Sequence, residues 1–274
     1  MIEKLSTLPL YQVINLGLLF GSMLLCLIVW LAGILNTQLL GRDLPRIPRY
    51  ERSIFPHPLE EGYTLLFIVG FTFLSLANIT TDRTDETMSP TEAWVAAFLT
   101  ASIYLPMALR YVALPIEQGI FRWRNLGTTA ITLAIIYFVA IILQICGCME
   151  WIQHISGSPE QQQVTEDIAT TEAPLTLAAL LFSAIIVAPV MEEFAFRGFI
   201  YNVLRQRAGI IAAAISSSLL FSAVHTSLVQ APVLFIFGCA QCYLYEKSRS
   251  IIYPILLHAA FNSVSTLLIF LAPK

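Results

Sequence analysis

The chain has 274 residues, 57% of them hydrophobic and only 12% charged, against about 25% charged in ordinary soluble domains. A mean hydropathy of +0.74 and repeated uncharged runs of near-spanning length mark an all-α, polytopic membrane protein whose first partner is the lipid bilayer. The net charge of −3, without any basic cluster that interleaves aromatics, leaves no nucleic-acid partner to expect.

In chain order, membrane spans are expected at Leu10–Leu35, Gly62–Thr80, Ala93–Ile116 and Leu126–Met149. Four more follow at Leu175–Leu204, Ile210–Leu228, Pro232–Tyr245 and Ile251–Leu271, which makes an eight-helix transmembrane bundle. Residues 1–173 form an N-terminal four-span region with its loops, and residues 174–274 a second four-span region that carries the chemistry. The connector Gln38–Glu61, with Pro45, Pro48, Pro56 and Pro58, reads as irregular. The polar segment Ser156–Thr171 reads as a flexible external loop. No internal repeat is visible. The polar residues within spans fall almost wholly after residue 188, whereas the inverted halves of a transporter would each carry a broken helix. Arg110, the exception, lies within two turns of the span end at Ile116 and can snorkel to the interface.

Charge sets the orientation. Loops after odd-numbered spans hold Arg42, Arg46, Arg49, Arg52, Arg122, Arg124, Arg205, Arg207, Lys247 and Arg249. The opposite side holds Lys4, Arg83 and Lys274, and its segment Glu150–Ala173 has five acids and no Lys or Arg. The positive-inside rule puts both termini outside and the odd loops in the cytoplasm, as in a multi-pass protein of a bacterial inner (plasma) membrane. The first apolar run is too long for a cleavable signal peptide and lacks a basic flank. Five cysteines, Cys26, Cys146, Cys148, Cys239 and Cys242, lie in or beside spans, an odd count that argues against a disulfide framework. The CxxC spacing of Cys239 and Cys242 within an apolar helix reads as packing.

The fifth span carries Glu192, Glu193 and Arg197, three charges where one alone costs roughly 2.5–3.5 kcal/mol. Glu193 and Arg197 are four apart with the acid first, the favourable order for an intrahelical pair, and read as structural support. Glu192 has Ala195 and Phe196 at the neighbouring helical positions, so it has no local cation. The groups available to face it are His225 in span six and His258 with Asn262, one turn on, in span eight. His57 and His154 fall in predicted loops. At 1.5 Å per residue, Glu192 and His225 lie about 20 and about 24 Å from the cytoplasmic turns, and His258 and Asn262 about 13 and about 19 Å. The four groups therefore share a band near mid-membrane, in a cavity expected to open cytoplasmically or laterally.

A carboxylate, two histidines and an amide in such a cavity suit water-driven acyl hydrolysis. Glu192 takes a proton from water while His225 holds or co-activates it. His258 and Asn262 donate hydrogen bonds to the developing oxyanion. A divalent metal on Glu192, His225 and His258 is the competing use. No H-E-x-x-H is present and the ligands would come from three helices, so the reading without a cofactor is favoured.

Glu192-Glu193-xxx-Arg197, Phe221-xxx-His225 and His258-xxx-Asn262 resemble, in order, the motifs of the CPBP family. This group comprises the type II CAAX prenyl endopeptidases and the bacterial Abi proteins of bacteriocin immunity and processing. The resemblance covers Leu175–Leu271, and the first four spans carry no matching motif. It implies an intramembrane endopeptidase, glutamate-type or metal-dependent, in which Glu192 and His225 activate water and His258 with Asn262 forms the oxyanion hole. It implies a peptide or lipidated-protein substrate. A non-catalytic Abi-type immunity or scaffold protein is the alternative, but a scaffold has no need of the extra acid Glu192.

Overall fold

The computed structural model describes residues 8–38, 62, 64–70, 122–158 and 163–271. Among them there are helices and connections and no strands. We label the helices α1 (Leu10–Gln38), α2 (Trp123–Ile145), α3 (Cys148–Ser156), α4 (Gln163–Thr170), α5 (Pro174–Ala208), α6 (Ile210–Val224), α7 (Ala231–Ser248) and α8 (Ile252–Leu271). Residues 64–70 are helical as well. Helices α1, α2, α5 and α8 are each long and apolar enough to cross a membrane. The protein is thus a polytopic all-α membrane protein. The expected first, fourth, fifth, sixth, seventh and eighth spans coincide with helices. Of the second only residues 62 and 64–70 are described, and the third, with Arg110 and the connector Gln38–Glu61, lies outside the described residues.

The outward faces of α1 and α2 show Leu24, Ile28, Leu31, Ile131, Ile135 and Phe138 to the surroundings, as helices in contact with lipid must, because hydrocarbon exacts no cost for them. Inside, Phe196, Tyr201, Phe221, Phe237, Tyr245, Tyr253 and Leu257 form one core. Helix α6 packs on α7 and α1, the last turns of α5 pack on α1, and α7 and α8 both pack on α2. The crossing of α1 and α5 depends on Gly33. A Cβ added there would stand 2.5 Å from Arg207 Cβ and 2.7 Å from its carbonyl oxygen, and backbone cannot yield as a flexible side chain does. Gly33→Ala is therefore expected to cost about 1–3 kcal/mol by overpacking, seen as a lower melting temperature of the detergent-solubilised protein with the same helical content.

Three expectations need correction. Ser156–Thr171 is not simply a loop: α3 extends to Ser156 between Gly147 and Gly157, both in left-handed geometry, and α4 covers Gln163–Thr170. The polar composition hid a helix that needs only Ile168, 3% exposed, to anchor it beside α8. Arg205 is not a loop cation; it is fully buried within α5 and pairs with Glu246 Oε1 at 2.7 Å. Helix α6 ends at Val224 rather than Leu228. Its 15 residues reach about 22 Å, short of a hydrocarbon core of about 30 Å. Thr226 then takes a φ of 54°, uncommon for a β-branched residue, and its carbonyl is held by Asn15 Nδ2 of α1 at 2.8 Å. The chain thus turns directly after His225.

Candidate active site

Helix α5 carries the acidic pair, and its winding explains what lies around it. Two π-helical stretches, Ser183–Val187 and Phe194–Tyr201, flank the short α-helical piece Ala188–Glu193. In the first, the Ala188 N–H donates to Ser183 O, five residues back. The next N–H in that register would reach Ala184 O, but residue 189 is proline and has none to give. The Ala184 carbonyl accepts instead from Asn262 Nδ2 at 2.7 Å. Proline and π-winding together dock Asn262 beside the acidic pair, in line with the frequency of π-bulges at functional sites. Pro189→Ala supplies a competing N–H. It is expected to hold or raise the melting temperature, since proline inside a helix is costly, and to lower turnover between about ten- and a hundredfold as Asn262 loses its fixed place.

Glu193 is completely buried and its Oε1 accepts three N–H groups: Arg197 Nη1 at 3.1 Å, Gln241 Nε2 at 3.0 Å and His258 Nδ1 at 2.8 Å. Arg197 is fixed in turn by donating Nη2 to Gly238 O at 3.2 Å and by lying over the Phe221 ring at 4.7 Å. The expected Glu193–Arg197 pair is present. What spacing within one helix did not reveal is that Glu193 also orients His258, 65 positions away. Gln241 was missed too, although an amide in the middle of an apolar span was a visible sign.

Glu192 has the opposite setting. Its side chain is 23% exposed, and its Oε2 stands 3.6 Å from His225 Nε2 and 3.9 Å from His258 Nε2, with no hydrogen-bond partner for that oxygen among the described residues. The rings are held from behind. His225 Nδ1 is 2.7 Å from Phe221 O, and because a carbonyl only accepts, Nδ1 is the N–H. Both histidines therefore spend Nδ1 on a fixed acceptor and turn Nε2 toward Glu192. Three groups that accept hydrogen bonds, in their neutral-ring and carboxylate forms, surround one point. That arrangement suits a small donor such as water.

Glu192, His225, His258 and Asn262 all line one cavity of about 520 Å³. Sequence spacing brought these four together, and the structure does so, with Asn262 committed through one amide N–H to Ala184. The cavity does not run toward Arg207, Lys247 and Arg249. It leads toward α3 and α4, past Tyr137, Gln144, Glu150, Gln153 and Thr165. Tyr137 is anchored by donating to Phe261 O at 2.8 Å, beside Ser265. Among the described residues no group of three or more His, Cys, Asp or Glu side chains is arranged to hold a metal ion.

Residues 174–264 match the family described as type II CAAX prenyl endopeptidase Rce1-like. The chain is 28% identical over 188 residues to the candidate membrane peptidase YdiL of Bacillus subtilis (strain 168), an overlap of 66% of this chain and 73% of that one. No solved structure matches it. The matched segment contains the acidic pair, both histidines, Asn262, and the π-wound helix that assembles them. With these side chains gathered in one cavity, residues 174–264 are similar to the type II CAAX prenyl endopeptidase Rce1-like family, and the longer overlap is similar to a candidate membrane peptidase.

Proposed function

We propose that the protein hydrolyses a peptide bond within the membrane with water activated by Glu192 and His225. The observation that carries this reading is the convergence of two histidine Nε2 atoms, each with Nδ1 already engaged, on one oxygen of Glu192 inside a cavity. A water donating to Glu192 and to His225 Nε2 has its lone pair free for a carbonyl carbon. Glu192 takes one proton as the oxygen–carbon bond forms, and the tetrahedral oxyanion accepts a hydrogen bond from the remaining Asn262 N–H. His258 adds a second from Nε2 when its ring carries both protons. Glu192 then returns its proton to the leaving nitrogen, the carbon–nitrogen bond breaks, and a carboxyl and an amino end are released. Glu193 positions His258 and does not touch the substrate.

No step here needs a metal, and the glutamate-type reading is separated from a metalloprotease by chelation. The substrate is a peptide or a lipidated protein, and the setting a bacterial plasma membrane, as the Bacillus relative suggests. The test is cleavage of prenylated and unprenylated peptides by purified protein, with and without a chelator, beside Glu192→Ala. Turnover that survives chelation and vanishes in the variant is the expected result. Turnover that follows the metal content of the preparation overturns the metal-free mechanism, and activity retained in Glu192→Ala overturns the whole assignment.

A further inference from the structure

From Glu192 the cavity has one continuation among the described residues. Beneath it, on the side of Arg207 and Arg249, Phe196, Phe221, Phe237, Tyr245 and Tyr253 are each 1% exposed or less and pack without a passage. On the other side the lining passes to Gln144, Glu150, Gln153 and Val164, all of them exposed. The two ends of the bundle also differ in charge. Arg122, Arg124, Arg207, Lys247 and Arg249 lie at the closed end, at helix termini or in turns. Glu150, Glu166, Asp167 and Glu172 lie at the open end, which among the described residues has no Lys or Arg. The burial of Arg205 against Glu246 removes one cation from that contrast without reversing it. Lys and Arg in short loops stay in the cytoplasm during insertion, so the closed end is cytoplasmic and the open end faces the other side of the membrane.

We propose that the scissile segment reaches Glu192 from the extracytoplasmic face, past α3 and α4. The substrate class is then the extracytoplasmic part of a membrane-anchored or exported peptide, rather than a lipidated tail presented in the cytoplasm. The proposal rests on the peptidase reading of the same site and adds the side from which it is served. The rim suits an extended peptide: Gln144, itself bonded to Glu150 Oε1 at 2.5 Å, Gln153 and Thr165 offer amide and hydroxyl groups of the kind that pair with peptide backbone.

Sidedness decides it. In the full chain, Cys146, Cys148 and Cys239, which are exposed or half-buried, are replaced by serine, and one cysteine is introduced at the rim (Gln153→Cys) or at the closed end (Lys247→Cys). Sealed right-side-out and inverted bacterial membrane vesicles are treated with a membrane-impermeant maleimide–polyethylene glycol. Hydrolysis of a quenched-fluorescence peptide added outside the vesicles is then followed. The expected result is labelling of Gln153→Cys only in right-side-out vesicles, with hydrolysis falling to the level of Glu192→Gln. Lys247→Cys is labelled only in inverted vesicles, and its hydrolysis in right-side-out vesicles is untouched by the reagent. Labelling of Gln153→Cys only in inverted vesicles overturns the orientation, and labelling that leaves hydrolysis intact overturns the route. If the unlabelled Gln153→Cys protein is inactive, Val164→Cys, exposed on the same rim, serves as the rim position. Wild type that cleaves nothing in either vesicle, with sidedness as expected, counts against the peptidase reading and leaves the orientation standing.

Discussion

Replacing Glu192 by glutamine is expected to lower peptide turnover by about 10²–10⁴, the usual worth of a positioned general base, while the protein melts at nearly the wild-type temperature. The reasoning is local. Glu192 Oε2 lies beyond hydrogen-bond distance of both histidines and has no other partner among the described residues, and part of the side chain faces the cavity. No structural bond is broken when one oxygen becomes an amide nitrogen of similar size. The new amide Nε2 donor is even welcome, since the Nε2 atoms of His225 and His258 are acceptors in their neutral forms. What the amide cannot do is take a proton from water. Melting and turnover measured on the same preparation check both halves, and turnover above about half of wild type would place the base elsewhere.

Glu193→Ala is expected to behave differently, losing stability and activity together. It leaves Arg197, 1% exposed, with Gly238 O and the Phe221 ring as its contacts and no counter-charge. Breaking a buried pair in this way costs about 3–5 kcal/mol, a fall in melting temperature on the order of 10 °C for a chain of this size. The double change Glu193→Gln with Arg197→Met removes both charges and should recover most of that loss. It should not recover turnover, because His258 Nδ1 has then lost the carboxylate that sets its ring. A double variant that regained wild-type turnover along with stability would reduce Glu193 to a purely structural role, the role that its spacing to Arg197 alone suggests.

The site was legible where chemistry breaks a pattern. Carboxylates, histidines and an amide inside apolar helices stand out because lipid penalises them, and counting residues from the turns placed Glu192, His225, His258 and Asn262 near one depth. Side-chain commitments were not legible. That His258 answers to Glu193 from behind and to Glu192 from in front depends on helix rotation, which i,i+4 arithmetic within one helix cannot give. The π-winding of α5 was hidden as well. Pro189 announced a break in the helix, but nothing in its neighbours said that Asn262, 78 positions from Ala184, would fill the gap. The direction in which the cavity extends was not legible for a related reason: depth from a turn measures distance along one helix, whereas access depends on which end the aromatic side chains fill.

The turn after His225 has a bearing on how such proteins can be cut and rearranged. The family match spans residues 174–264, which invites treating that stretch as a portable module. Yet Thr226, next to His225 and strained in φ, is tethered by Asn15. Cys26 of the same helix donates to Ser216 O at 3.3 Å, and Gly33 lets Arg207 approach. One face of α1 is thus a template against which the hairpin that carries His225 is moulded. A lineage that kept the motifs but exchanged its first helix would have to reinvent that template, and an amino-terminal truncation would inherit Glu192, His225, His258 and Asn262 without the surface that sets their spacing.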